Sequence, residues 1–386
     1  MIPTRKFAAQ FSTSPFQGEV WAVILCFLVT ACSADVKPVF HADENPESLS
    51  DWGMVFEGDG HLFVNEGVLP YDLATPLFSD YALKLRTLWT PDGKTVSYDP
   101  DGPFDFPVGT VVTKTFYYPR ENDEWDGVVT IGEAPRLSQM SLPLSKFQLV
   151  ETRLLVRREA KWDALAYVWN EEQTDAVLKR TGDIKPMTLV RDDDEREAFA
   201  YLVPNVNQCA ACHATNATTK EIQPIGLKAS HLNKRSNYSH GLNQLDHWIA
   251  AGLLTGDFSN AGAAPKNADW QDETASLDAR ARAYLDINCS HCHNPVGPAD
   301  TSGLNLKPDA SGPALGRCKS PIAAGGGTGG RPYGLTPGAP EQSITLFRME
   351  TTDPGAMMPE LGRAVAHDEG VALIAEWITE MEGACG

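Results

Sequence analysis

The sequence predicts a multi-domain chain in which a β-rich N-terminal domain is followed by two mainly α-helical modules, and three observations carry that prediction. A short motif occurs twice, as Cys209-Ala210-Ala211-Cys212-His213 and as Cys289-Ser290-His291-Cys292-His293. Residues 51–195 contain short runs rich in β-branched and aromatic residues, separated by Pro-, Asp- and Gly-containing turns. Beyond them, each copy of the motif follows one short helical pattern and precedes another.

Residues 1–31 read as an export leader. Arg5 and Lys6 give a positive start, and the stretch from Val20 to Ala31 forms an apolar core too short for a permanent membrane span. Val29-Thr30-Ala31-Cys32 has the form of a lipoprotein cleavage site, with Cys32 as the lipidated first residue; a plain secretory leader is the alternative. Ser33 stands where Asp would retain the protein in the inner membrane, so the expected location is the periplasm, lipid-anchored at the outer membrane rather than the inner. Residues 32–50 are polar and aperiodic and read as a tether.

Residues 51–195 form the predicted β-rich domain. Its strand-like runs include 109–118, 146–156 and 164–169, with turn signals at Pro91-Asp92-Gly93 and around Pro100 to Pro103. It has no cysteine, its only histidine is His61, and its acids are scattered, so it carries no catalytic constellation.

The first module is placed at 196–268 and the second at 269–386. Helical patterns at 197–202 and 276–285 precede the two motifs, with Leu277, Ala281, Tyr284 and Leu285 on one face of the latter. Closing helices are expected at 242–253, with Trp248-Ile249, and at 369–381, with Trp377-Ile378. Helix, motif, loop and closing helix are the parts of a small cytochrome c-like module.

The motif itself names a chemistry. In Cys-x-x-Cys-His two thiols three positions apart can each add to a vinyl group of one haem, while the adjacent histidine turns under the ring toward iron. Two cysteine pairs could instead build a zinc site, but the stretch between Cys212 and Cys289 is long enough to fold by itself and each pair carries its own histidine, neither of which a compact zinc ribbon needs. The expected cofactors are therefore two covalently bound haem c groups, held by Cys209 and Cys212 and by Cys289 and Cys292, with His213 and His293 as proximal ligands.

On the far side of the second iron the candidate is Met358, which follows His293 at long range, precedes the closing helix and stands directly before Pro359; Met357 is the next choice and Met349 a wall residue. No methionine lies between His213 and the second motif. His231 takes the equivalent place, because it precedes Trp248 by nearly the interval at which Met358 precedes Trp377; Met187, His240, His247 or an open coordination position are the alternatives. Gly325, Gly327 and Gly330 spell G-x-G-x-x-G but neither follow a strand pattern nor open a helix, so they read as a loop.

Of 8 cysteines, Cys26 leaves with the leader, Cys32 takes lipid and four take haem, which leaves Cys318 and Cys385 to bond to each other in an oxidising compartment. Net charge is −19, and −20 once Arg5, Lys6 and Glu19 depart. Such a surface disfavours nucleic acid and anionic membrane and suits periplasmic redox partners with basic docking surfaces. The membrane is reached through the lipid.

Taken with the motifs, the stretches Tyr71-Asp72-Leu73-Ala74-Thr75-Pro76-Leu77-Phe78-Ser79-Asp80-Tyr81, Tyr167-Val168-Trp169-Asn170 and Asn243-Gln244-Leu245 make the chain resemble a family of bacterial dihaem c-type cytochromes, predicted lipoproteins with a β-rich front half. The resemblance implies haem and electron transfer without naming a substrate. The expected function is relay of electrons between periplasmic partners. A dihaem peroxidase-type oxidoreductase with a vacant or labile site at the first haem is the alternative, and a β domain that recruits the protein to a redox complex is a third reading.

Overall fold

Fourteen strands organise the described residues, which are 37–135, 141–257, 260–322 and 324–386 of a computed structural model. The leader, the lipidation site Cys32 and the first part of the tether lie outside them. The first seven strands are β1 (Val55–Gly58), β2 (His61–Val64), β3 (Leu69–Tyr71), β4 (Leu83–Trp89), β5 (Val96–Ser97), β6 (Val111–Pro119) and β7 (Val128–Thr130). Then come β8 (Ser141–Pro143), β9 (Phe147–Arg157), β10 (Trp162–Trp169), β11 (Ala176–Leu178), β12 (Asp183–Val190), β13 (Arg196–Val203) and, far downstream, β14 (Leu254–Thr255).

An antiparallel six-stranded sheet in the order β11-β10-β9-β6-β4-β3 is the centre of the architecture. Its long strands are β-branched and aromatic, which suits a pleated surface buried on both sides. One face, with Leu85, Val111, Leu154 and Val156, packs on Trp52, whose indole N–H donates to the Tyr167 hydroxyl at 2.8 Å. Hydroxyls on that face close on each other across strands, Thr87 with Thr113 at 2.6 Å and Thr115 with Thr152 at 2.9 Å. The other face, with Leu88, Val112 and Leu155, is covered by residues from the half that carries the two Cys-x-x-Cys-His motifs, among them Leu227, Leu245 and Trp248.

The helices are α1 (Val206–His213), α2 (Ala229–Leu232), α3 (Gln244–Ala250), α4 (Leu277–Leu285), α5 (Gly312–Leu315), α6 (Ile344–Glu350) and α7 (Asp368–Thr379). They are short, and 22% of the described residues are helical, so the expected pair of mainly α-helical cytochrome c-like modules is not what forms. Two physical reasons are visible. The helical pattern at 197–202 is a strand instead: β13 pairs along its whole length with β12, from Arg196 opposite Val190 to Val203 opposite Asp183, and Phe199, Tyr201 and Val203 point inward at every second residue. The first motif region also has no helical core of its own, because Leu245 and Trp248 of α3 bury against the sheet, and β14 pairs in parallel with β5. Around the second motif, α4, α6 and α7 do share a core, with Leu285, Leu346, Ile374 and Trp377.

Residues 37–386 form one compact unit. Among the described residues no helix is long and apolar enough to cross a membrane.

Cys318 and Cys385 are bonded to each other, 67 residues apart in sequence. Closing so long a loop restricts the unfolded chain, so replacing both with serine should lower the unfolding free energy by about 2–4 kcal/mol. Denaturant unfolding of the double variant checks this; an unchanged midpoint would show that the bond constrains nothing the fold needs.

Candidate functional site: two thiol pairs on adjoining cavities

Helix α1 is built to present the first motif. Asn205 caps it, its side-chain oxygen accepting from the Gln208 amide at 3.0 Å, while the Gln208 side-chain oxygen accepts from the Asn205 amide at 2.9 Å. The helix ends on His213, whose Nδ1–H donates to the Gln223 carbonyl at 2.7 Å. The second motif begins in a π-helical turn, Asp286–Ser290, that continues α4 and rotates Cys289 relative to the α-helical path. His293 is anchored the same way, with Nδ1 at 3.1 Å from the Ser302 hydroxyl.

In both motifs this leaves Nε2 without a hydrogen-bond partner among the described residues. A ring held at one nitrogen and free at the other has the disposition of an imidazole ligand. Burial keeps both rings neutral, pushing His213 down to about 3 and His293 to about 4. It pushes all four thiols up, Cys289 and Cys292 to about 12, so they are uncharged.

Each motif opens on a cavity. The second measures about 590 Å³ and is lined by Cys289, Cys292, His293, Met349 and Met358; Met357 is not on its wall. That volume is within the ~300–1,000 Å³ range of cofactor pockets. The first measures about 110 Å³, with Cys209, Cys212 and His213 facing Arg86, Lys114 and Arg153 of the sheet, so a tetrapyrrole there requires its walls to part. Cys212, Phe78, His291 and Leu361 border both cavities, and the Cys292 sulfur lies 3.9 Å from the Ala211 carbonyl oxygen. The two motifs therefore touch.

His231 borders neither cavity. It is 1% exposed, and its Nε2 lies 3.3 Å from the Asp286 carboxylate while its Nδ1 accepts from the Asn267 amide at 3.3 Å. Burial holds this ring near a pKa of 3. Spacing from Trp248 cannot reveal this, because the spacing says how far along the chain a residue stands and not which way α2 turns it.

Several positioning residues were invisible to motif reading. Arg363, 7% exposed, donates to the carbonyls of Met358, Arg348 and Thr351 at 3.0, 2.9 and 2.8 Å and so holds the loop that carries Met358. In the stretch 71–81, the Phe78 amide donates to Asn288 at 2.8 Å, and the Asp80 carboxylate accepts from the Ala364 and Val365 amides at 2.6 and 3.0 Å. Burial pushes Asp80 up to about 6 despite those amides. For Phe78 and Asp80 the sequence signal is that 71–81 belongs to the family resemblance; Arg363 has none.

No family model, curated protein or solved structure matches the chain. Among the described residues no group of three or more His, Cys, Asp or Glu side chains is placed to hold a metal ion. With the β-rich fold, neither the described residues nor the comparisons identify the chain as a cytochrome c, a haem protein or a metal-binding protein, as the sequence led one to expect.

Proposed function

We propose that the chain relays single electrons between redox partners through two haem c groups, one joined to Cys209 and Cys212, the other to Cys289 and Cys292. What supports the reading is one arrangement found twice: a thiol pair and an imidazole on the wall of a single cavity, the imidazole fixed at Nδ1 and free at Nε2. A haem brings four iron ligands of its own, so it asks the chain for one or two more rather than a cluster. When bound, it supplies one-electron chemistry at iron.

The chain's part is to hold and tune. His213 and His293 offer neutral imidazole nitrogens, and their partners Gln223 and Ser302 fix ring orientation and raise donor strength. Met358, tied through its amide to the Arg348 carbonyl at 2.7 Å, offers a thioether at the second site. The touching motifs give a short path from one site to the other.

A peroxide-reducing role at the first site is the second reading, favoured by the placement of His231 away from that cavity. Covalent haem attachment outside the cytoplasm accords with an exported, lipid-anchored protein, and the net charge of −19 with basic partners. Intact mass of the exported chain should exceed the polypeptide by two haems that survive acid-acetone extraction. A polypeptide mass alone, or bound zinc, overturns the proposal.

A further inference from the structure

Three cations stand in one row across the six-stranded sheet. Strand register sets Arg86 of β4 opposite Lys114 of β6, and Lys114 opposite Arg153 of β9, so the three share one face and line the first cavity with Cys209, Cys212 and His213. Like charges directly opposed on adjacent strands destabilise a sheet, and Arg86 is only 6% exposed. A single carboxylate answers them. Glu151 accepts from Arg153 at 2.9 and 2.5 Å and from the Tyr201 hydroxyl at 2.7 Å, and from neither Arg86 nor Lys114. Arg86 and Lys114 have no hydrogen-bond or ion-pair partner among the described residues; the Lys114 ammonium sits 5.3 Å from the centre of the Phe116 ring, which Arg153 also covers at 4.3 Å.

Burial and the facing Arg153 and Arg86 push Lys114 down to about 7 against the pull of Glu151, so an anion brought into the cavity would keep its ammonium charged and would answer Arg86 as well. The row lies across from a thiol pair, so the anion is carried by whatever those thiols hold. Resting on the function proposed above, we infer that Arg86 and Lys114, with Arg153 beside them, form the binding wall for the propionate carboxylates of the haem joined to Cys209 and Cys212. A guanidinium meets a carboxylate through two parallel N–H donors, and an ammonium adds a mobile point charge. The β-rich half, which by sequence carries no constellation, thereby supplies one side of the first site.

The test uses the full exported chain and Lys114→Gln, with Arg86→Gln as a second variant should the first not accumulate and Lys114→Arg as the charge-retaining control. Each is read by intact mass and by redox titration of both haems. Removing a cation beside the group's carboxylates should make one haem harder to reduce, by about tenfold in its reduction equilibrium constant, which is about 59 mV for one electron. The other haem, the haem count of two and the Lys114→Arg potentials should stay as in wild type. Two haems with both potentials unmoved in the glutamine variants overturn this inference alone. A mass without haem overturns the proposed function and this inference with it.

Discussion

Asp286→Ala is expected to lower the unfolding free energy by about 3–5 kcal/mol, the cost of breaking a buried ion pair by removing one partner. Asp286 is 2% exposed, one turn before the second motif. Its carboxylate accepts from Lys228 at 3.1 Å on both oxygens, from Asn267 at 2.8 Å and from Ser290 at 2.7 Å. Burial pushes its pKa up, but His231, Lys228 and these hydrogen bonds outweigh that and hold it below the ordinary carboxylate range. Its neighbour His231 is held near 3, so both groups bind protons more readily in the unfolded chain. Their contribution to stability is then complete above an unfolded histidine pKa of about 6.5 and is lost as pH falls toward about 3. Denaturant unfolding of wild type and variant at several pH values measures both effects. A loss under about 1 kcal/mol at pH 7, well short of the cost of stranding a buried charge, would mean that Lys228 and His231 find other partners.

Met358→Ala should remove the near-infrared charge-transfer band of thioether-ligated ferric haem. It should also lower the potential of one haem by on the order of 0.1 V, inside the roughly 0.8 V span that axial ligands govern. Met349 borders the same cavity from α6 and Met357 does not border it, so alanine at either should leave the band in place. Loss of the band in Met349→Ala with retention in Met358→Ala would transfer the ligand role to Met349. Arg363→Gln is a milder probe, since it frees the carbonyls that hold the Met358 loop without touching the sulfur.

How far the fold was legible depends on whether a signal was local. The runs at 109–118, 146–156 and 164–169 became β6, β9 and β10, because alternating or continuous β-branched residues declare themselves within one segment. The patterns at 276–285 and 369–381 became α4 and α7 for the same reason, through a single apolar face. The segment 197–202 went the other way: Glu197, Ala198, Ala200 and Leu202 are good helix formers, and the ladder to β12 overrode them. The division into two helical modules failed at the same point. A hydrophobic face on α3 records that something covers it, and it could not record that the cover is a sheet rather than a neighbouring helix.

The sequence by itself determined the chemistry on offer, namely two Cys-x-x-Cys-His units, a methionine before proline, and two remaining cysteines that pair as Cys318 with Cys385. The first two are statements of residue type and short spacing, which covalent geometry enforces wherever the chain goes; the third comes from counting the cysteines that remain for an oxidising compartment. Only the tertiary structure decided what faces what. It set the two motifs against each other, turned His231 into a cluster around Asp286, and lined Arg86, Lys114 and Arg153 up before the first thiol pair. Those placements come from strand register and from which face of an element is buried, quantities fixed by contacts between residues far apart in the sequence, where no local pattern reaches.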